Sequence, residues 1–393
     1  MSFSLMYTSS CMLLIATLSL FMGASVVYAD DTVTIGGVFN ISGWAEGEKS
    51  KTAAEFAVDD FNEYLDMIGA DWNLKMRVED TQENANIAFH KLSDLRSSGI
   101  DLVVGMAFSH FISLAYNYIE TNDILVISHA AQAADQEIDD GIFRLVPNDG
   151  QQVPAISAAV QDANVTVLAT VSRIGSWGDG IVDGVEDVFD GEVIKIIRYD
   201  PESAYYSSEV SFLDTELAKL IDRHGVDNVG VLFVGNDEFI QIIQQMKLYD
   251  NVSKVRWFGT NNQAGQSYFL TDPIVQEFAD KTEFVAVRSI PAQNNAISTA
   301  LDERFIERYN TTATIYNYAA YDAVWLLGMT ILQTQSTEST TLIEAMPAVA
   351  LHTIGASGHL ELSHGGDLVN AAFEIWGVQD GQWAKLGEYA PTD

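Results

Sequence analysis

LVVGMAFSHFISLAYNYIETNDILVIS, residues 102–128, combines two kinds of hydrophobic pattern. Short apolar runs at 102–104 and 125–127 are typical of buried strands, and residues 110–120 between them carry apolar side chains at helical spacing. A strand, a helix and a second strand in this order predict a βαβ unit. In such a unit the two strands are parallel and the helix covers one face of their sheet.

The same alternation continues in both directions along the chain, and turn residues at 147–150 separate it into two halves. We predict further strands at 33–39, 74–78, 166–170, 192–197, 229–233 and 255–258, with helices at 51–65, 84–98, 180–189 and 208–224. From residue 284 we predict one more strand, helices at 297–309, 318–333 and 340–349, and a closing β-hairpin at 371–385. The pattern indicates an α/β protein with two doubly wound parallel-sheet lobes.

The N-terminal segment, residues 1–29, has no charged side chain and is almost wholly apolar or small from residue 11 onward. Its length and the final Val27-Tyr28-Ala29 are typical of a signal peptide, so we predict export with cleavage after Ala29. Retention as a membrane anchor is the alternative, because no basic residue precedes the apolar run. Cys11 lacks the small-residue motif that precedes a lipidated cysteine, which argues against a lipoprotein. In either case we expect the remaining chain to be extracytoplasmic, in the periplasm or at the cell surface.

Composition narrows the possible partners of the remaining chain. It contains no cysteine, so its stability must come from buried apolar surface, and 48% of all residues are hydrophobic. The formal net charge is −35, which would repel a polyanion. Nucleic acid is therefore excluded as a partner. The length of the chain after residue 29 favours two lobes over one compact core.

The loops after the predicted strands are the expected place for a ligand, because in open parallel sheets the crevice lies beyond the carboxyl ends of the strands. These loops are rich in polar and aromatic side chains. They are 40–46, 106–110, 128–132, 147–151, 172–179, 234–239 and 260–266.

Short motifs follow the predicted strands in a particular order. They are Ser42-Gly43, Val104-Gly105 with Ser109, Val126-Ile127-Ser128, Phe143-Arg144 with Asp149, Trp177-Gly178, Phe258-Gly259 and Tyr318-Ala319-Ala320-Tyr321-Asp322. Over nearly all of residues 32–390 this order resembles the leucine/isoleucine/valine-binding family of type I periplasmic solute-binding proteins, which feed ABC importers. The resemblance implies two lobes that close over a ligand about a hinge. It places the N-lobe at 32–147 plus 285–355 and the C-lobe at 148–284 plus 356–393.

The resemblance also implies ligand contacts from the loops of both lobes. Ser109 corresponds to a serine whose hydroxyl binds a ligand carboxylate, although it could instead cap the helix that begins there. Ala130 corresponds to a residue whose backbone carbonyl accepts from a ligand amino group, and Gln132 stands where threonine is usual. Trp177 replaces an aromatic residue that packs on the ligand, and Trp44 is a second aromatic candidate.

Acidic residues near the implied site bear on the charge of the ligand. Asp149 stands where the family has a polar or acidic residue, with capping of its own turn as the alternative. Asn261 stands where amino-acid receptors carry a glutamate that pairs with the α-ammonium, and Asn236 is a further contact. An amide cannot balance a buried cation. Either Asp149, Asp237 or Glu238 therefore supplies the charge, or the ligand is not a zwitterionic amino acid.

The expected function is capture of a small polar ligand, such as a branched-chain amino acid, an amide or a small carboxylate, for delivery to an ABC permease. A ligand sensor that reports to a signalling partner is the alternative. We expect no enzyme activity, because the chain has no G-x-S-x-G elbow and no cysteine after residue 29. We also expect no cofactor: the glycines at 178–184 are spaced one residue too far apart for a dinucleotide fingerprint. His110 and His129 lack a nearby acidic cluster, so we expect no metal site.

Overall fold

The computed structural model describes residues 32–201, 203, 205–290, 295–369 and 371–389. The predicted signal peptide at 1–29 lies outside these residues. Within them the chain forms two α/β lobes, each built around its own sheet, which confirms the predicted fold class. Among the described helices, none is both long enough and apolar enough to cross a membrane.

The N-lobe contains a parallel sheet of six strands in the order β13-β5-β4-β3-β1-β2. Its strands are β1 (Thr32–Phe39), β2 (Asn73–Asp80), β3 (Leu102–Gly105), β4 (Leu125–Ser128), β5 (Ile142–Pro147) and β13 (Asp367–Leu368). Its helices are α1 (Gly47–Ile68), α2 (Ala85–Ser97), α3 (Ser109–Thr121), α10 (Ala296–Tyr309), α11 (Ile315–Thr334) and α12 (Ser339–Ala350). A 3-10 turn at Ala134–Gln136 lies between β4 and β5, and a small hairpin of β11 (Ile354–Gly355) and β12 (Gly358–His359) follows α12.

The C-lobe contains a sheet of seven strands in the order β15-β14-β10-β9-β8-β6-β7. Its strands are β6 (Val167–Arg173), β7 (Glu192–Tyr199), β8 (Val229–Val234), β9 (Arg256–Gly259), β10 (Val285–Ile290), β14 (Ala372–Gln379) and β15 (Gln382–Tyr389). Its helices are α4 (Asp149–Asp162), α5 (Ser176–Val188), α6 (Ser207–His224), α7 (Glu238–Met246), α8 (Tyr268–Thr271) and α9 (Pro273–Thr282). The last two strands in chain order run antiparallel to their neighbours and form the closing hairpin.

Two of the predicted lobe boundaries are wrong. Strand β10 pairs with β9 and β14, so the chain returns to the N-lobe after Ile290 and not at 285. Strand β13 pairs in parallel with β5, so the chain leaves the N-lobe after Leu368 and not at 356. Both errors have the same cause: the sheet that a short strand joins is decided by distant partners and not by its own residues.

The core of the N-lobe is organised around α11, which is buried on every side along most of its length. A helix that is apolar all round belongs in a protein interior. Helix α1 packs against it through small residues that include Ala53, Ala54 and Ala57. Gly328 is needed at this contact, because a Cβ atom there would lie 2.5 Å from the ring of Phe61.

A glycine also shapes the turn that leads from β3 toward α3. Gly105 has a φ of +124°, and a Cβ atom at this position would lie 2.1 Å from the carbonyl oxygen of Val38 on the neighbouring strand. A larger side chain could not adopt this conformation without moving the strand. The turn brings Ser109 to the start of α3 at the carboxyl end of the sheet.

Helix α2 offers a local test of the fold. The Asn84 side chain accepts hydrogen bonds from the backbone N–H groups of Asn86 (3.0 Å) and Ile87 (3.1 Å). We expect Asn84→Ala to lower the free energy of unfolding by about 1 kcal/mol, because two N–H groups of the first turn lose their acceptor. Urea denaturation measures the change. The matched control is Asn86→Ala, since that side chain is exposed and takes no part in the cap; an equal loss in both variants would contradict the capping role.

Candidate ligand-binding cleft

The loops at the carboxyl ends of the two sheets meet between the lobes. Helix α5 of the C-lobe contacts the 3-10 turn at Ala134–Gln136 of the N-lobe. Burial, and to a smaller extent the positive charge of Arg173 at the end of β6, lower the pKa of His110 on α3. The predicted site residues lie at or near this junction.

Ser109 is the first residue of α3, and its hydroxyl binds a neighbouring loop. The oxygen accepts hydrogen bonds from the backbone N–H groups of Gln132 (3.2 Å) and Ala133 (3.1 Å). The N-cap residue of the helix is Phe108, and no side chain caps it. The capping alternative for Ser109 is therefore wrong. Ala130 lies in the same loop, buried, with its own N–H directed to the Ser128 hydroxyl (3.4 Å).

Gln132 uses both ends of its side chain within the protein. Its amide nitrogen donates to the Pro147 carbonyl (2.9 Å), and its amide oxygen accepts from the Tyr316 hydroxyl (3.0 Å). Its backbone carbonyl accepts from the N–H of Asp149 (2.7 Å). Gln132 thus connects the first crossing between the lobes to the start of α11.

Asp149 is a buried carboxyl at the start of α4. One of its oxygens, Oδ1, accepts from the side-chain amide of Gln152 at 2.6 Å, whereas Oδ2 has no hydrogen-bond partner among the described residues. Burial raises the pKa of Asp149 well above its usual value, and the side chains of Gln152 and Trp177 oppose this shift. Asp149 does not cap its own helix, because the N-cap residue is Asn148 and no side-chain cap forms. The turn-capping alternative is therefore wrong.

Gln152 joins Asp149 to Asn261. Its side-chain oxygen accepts from the backbone N–H of Asn261 at 3.1 Å, and the residue is only 1% exposed. The Asn261 side-chain oxygen is buried and has no partner among the described residues. Gln152 was not among the residues predicted from the sequence. The available signal was its spacing of three residues from Asp149, which puts both side chains on one face of a helix.

Aromatic rings border these polar groups. Trp44 packs edge-on against Tyr316, with ring centroids 5.3 Å apart, and against Phe108 at 5.4 Å. Trp177 packs on the apolar cluster of the C-lobe beneath α4 and α5, and makes a polar contact with Asp149. Tyr316 and Phe108 were not among the residues predicted from the sequence. Phe108 does lie in one of the predicted ligand loops, 106–110.

Charged residues at the edge of the cleft are already paired. Arg173 and Glu238 form an ion pair at 3.2 Å, and the second oxygen of Glu238 accepts from the backbone N–H of Asn236 at 2.7 Å. The Asn236 side chain is exposed and contacts Asn262, so it lies farther out than the other predicted residues. Asp237 is exposed as well. Of the three acids considered from the sequence, Asp149 is the one that is buried with an unpaired oxygen.

His129 is buried against Phe39, with ring centroids 5.2 Å apart, and against Trp44 at 6.3 Å. Burial lowers its pKa to about 3, so it is neutral at physiological pH. In the part of the chain that the structure describes, no group of three or more His, Cys, Asp or Glu side chains has an arrangement suited to a metal ion.

A hollow of about 160 Å³ lies elsewhere, at the amino ends of β9 and β10. Its lining includes Phe258, Val285 and Leu386, and none of the predicted site residues.

The chain is similar to known proteins over both lobes. The family model described as "Receptor family ligand binding region" matches residues 49–381. An uncharacterized protein of Methanocaldococcus jannaschii, MJ1266, is 22% identical over 92% of this chain and 91% of its own length.

Solved structures show the same fold at low identity. The leucine-binding protein LivK of Thermotoga maritima is 14% identical with a TM-score of 0.75, covering 91% of this chain and 99% of that one. A solute-binding protein of an ABC transporter from R. palustris, solved in complex with benzoate, is 17% identical with a TM-score of 0.68, covering 92% and 97%. These structures show that the two-lobed fold extends over the whole described chain.

Proposed function

Because the chain belongs to the receptor family ligand binding region, a family of ligand-binding proteins and not of enzymes, we propose that it is the extracytoplasmic solute-binding protein of an ABC importer. It captures a small polar ligand, such as a branched-chain amino acid, an amide or a related compound, and delivers it to a membrane permease. The predicted signal peptide and the shared fold with ABC transporter substrate-binding proteins support this proposal.

The observation that carries the proposal is a pair of buried hydrogen-bond acceptors that have no partner among the described residues. They are Asp149 Oδ2 and Asn261 Oδ1, joined through Gln152. Buried polar atoms are nearly always hydrogen-bonded, and one left unpaired costs about 1–3 kcal/mol. The two atoms belong to residues that Gln152 links, because its side chain bonds both the Asp149 carboxyl and the Asn261 backbone N–H, and they support a ligand as the missing partner.

The proposed mechanism is hinge closure. The chain crosses between the lobes after Pro147, after Ile290 and after Leu368, and such crossings allow one lobe to rotate on the other. The ligand binds first to one lobe and then gains contacts from the other. Closure is favoured only by the contacts that the closed form adds, so residues such as Trp177 and Asn261 set the population of the closed state.

Thermal-shift screening of the exported protein against amino acids, amides, urea and short carboxylates tests this function. A ligand that binds only the folded state raises the melting temperature. We expect Trp177→Ala to abolish the shift, because the indole borders Asp149. The matched control is Trp376→Ala. Trp376 lies on β14, which three strands separate from β6, the strand that precedes Trp177, so this variant should keep the shift. A ligand whose shift survives Ser109→Ala, Gln132→Ala and Trp177→Ala would show that the binding site lies elsewhere.

A further inference from the structure

The two unpaired buried atoms on the residues that Gln152 links are both hydrogen-bond acceptors. A ligand that pairs with them must therefore supply hydrogen-bond donors. Asp149 Oδ2 and Asn261 Oδ1 accept no hydrogen bond of normal geometry from the described residues, although the Trp177 side chain lies close enough to Asp149 to lower its pKa. We propose that the ligand is a small organic cation with N–H donors, an ammonium or amidinium compound, held by these two oxygens. This inference rests on the proposed function and makes the ligand class narrower than a polar solute in general.

Most side-chain donors at this junction are already used. The Gln132 side-chain amide donates to the Pro147 carbonyl, and the guanidinium of Arg173 is paired with Glu238. The Ser109 oxygen accepts two backbone N–H groups, and these bonds do not use its own O–H donor. A carboxylate would find that hydroxyl but would have to break the Arg173–Glu238 ion pair to gain a counter-charge from Arg173, whereas a cation would satisfy acceptors that have no partner among the described residues.

Charge favours the same class of ligand. An ionised carboxylate buried alone is strongly disfavoured, so Asp149 needs either a proton or a cation. A bound ammonium or amidinium would supply that charge and donate to Asp149 Oδ2 and Asn261 Oδ1. Trp177 makes a polar contact with Asp149, Tyr316 donates to Gln132, and Trp44 packs edge-on against Tyr316. Aromatic rings attract cations and cover the apolar part of such a molecule.

Binding of the cation would then release a proton. In the free protein burial holds the pKa of Asp149 well above its usual value, and a bound cation lowers it. A proton and the cation therefore compete for the Asp149 carboxylate. The affinity for the cation rises as the pH increases through the pKa that Asp149 has in the ligand-free protein.

The groups nearest to Asp149 are not expected to titrate in the pH range of the experiment, so we attribute this pH dependence to Asp149. They are Gln152 from its own helix, Gln132, Trp177, Tyr316 and, through Gln152, Asn261. Tyr316 is titratable, but burial and the charges of Asp149 and Glu46 raise its pKa beyond the range of the experiment. Glu46 itself is paired with Lys49 at 2.9 Å.

Calorimetric titration of the exported protein between pH 5 and 8 tests the inference. The probes are benzylammonium and benzamidinium, compared with neutral benzamide, with benzoate and with leucine. Trimethylbenzylammonium carries the charge without an N–H donor. We expect the two N–H cations to bind most tightly, with an affinity that rises with pH. Repeating the titration in buffers of different ionisation heat should reveal release of up to one proton for each ligand bound.

Asp149→Asn should weaken binding of the N–H cations by about 100-fold or more and remove both the proton release and the pH dependence. The matched control is Asp187→Asn on α5, an exposed acid, which should change neither. The proton count on the unmodified protein tests the inference even if Asp149→Asn does not fold.

Tighter binding of leucine, benzamide or benzoate, lost in Trp177→Ala, would overturn the cationic ligand while leaving the solute-binding function intact. Cation binding without proton release, or binding that persists in Asp149→Asn, would overturn it as well. Failure of every probe here and of every compound in the broader screen would count against both proposals.

Discussion

Arg144→Met is expected to lower the free energy of unfolding by about 3–5 kcal/mol, because it leaves a buried carboxylate without its counter-charge. Arg144 on β5 and Asp367 on β13 are 0% and 1% exposed, and the Arg144 Nε donates to Asp367. The guanidinium also donates to the Gly365 carbonyl at 2.8 Å, and Asn148 donates to the second oxygen of Asp367 at 3.0 Å. This network connects the segment at the last crossing between the lobes, after Leu368, to the segment at the first crossing, after Pro147.

The shift of the urea midpoint measures the loss. Lys195→Met is the matched control, since its ion pairs with Asp183 and Glu186 are largely exposed and are worth at most about 1 kcal/mol. Replacing Asp367 with leucine in the Arg144→Met background should restore much of the stability, because the unpaired charge is then gone. A loss no larger than that of the control would contradict the role of this ion pair.

The loss in Arg144→Met should also depend on pH. Without Arg144, burial and the charge of Glu137 raise the pKa of Asp367 further above the unfolded value, opposed by the Asn148 hydrogen bond. A carboxyl whose pKa is raised by folding stabilises the protein below the unfolded pKa, and this contribution disappears as the pH rises through the folded pKa. The difference between the variant and the unmodified protein should therefore be larger at pH 8 than at pH 5.

Asp322→Asn is expected to lower the free energy of unfolding by about 2–4 kcal/mol, because an amide cannot accept all the hydrogen bonds that the carboxylate accepts. Asp322 on α11 is buried. It accepts from the backbone N–H groups of Ala356 (2.5 Å) and Ser357 (2.8 Å) and from the Ser357 hydroxyl (2.5 Å). Either orientation of the amide directs its NH₂ group toward a backbone donor.

Urea denaturation at pH 8 is the appropriate measurement. Burial raises the pKa of Asp322 to about 6, against the opposing effect of the Ser357 and Ala356 hydrogen bonds, so the carboxyl is ionised at pH 8. Ser357→Ala is the matched control: it removes the hydroxyl donor alone and should cost about 1 kcal/mol. Equal losses in the two variants would show that the backbone donors do not depend on the carboxylate.

Local patterns predicted many of the elements, but not strand β5 or helices α4, α7 and α9. Helix α3 was predicted at 110–120 and spans Ser109–Thr121, and the resemblance to solute-binding proteins is confirmed at the level of the family. The same patterns placed two lobe boundaries wrongly. Strand β13 has only two residues, and nothing in Asp367 and Leu368 indicates that they pair with β5 more than 200 residues earlier.

The candidate site combines residues that were named from the sequence with residues that were not. Asp149, Trp177 and Asn261 were named because the resemblance to solute-binding proteins implies ligand contacts at their positions. Gln152 and Tyr316 were missed, because their partners lie far away in the chain: Gln152 binds Asn261 109 residues later, and Tyr316 binds Gln132 184 residues earlier. Their roles depend on which loops the two sheets bring together.

The sequence by itself determined the α/β class, the alternation of strands and helices over much of the chain and the loops proposed for a ligand site, because the spacing of apolar residues is a local property of the chain. Only the tertiary structure decided which of three acids is buried. In the sequence, Asp149, Asp237 and Glu238 were alternative sources of a negative charge. Folding exposed Asp237 to solvent, paired Glu238 with Arg173 and buried Asp149, whose Oδ2 has no hydrogen-bond partner among the described residues, because exposure and pairing are set by residues from distant segments.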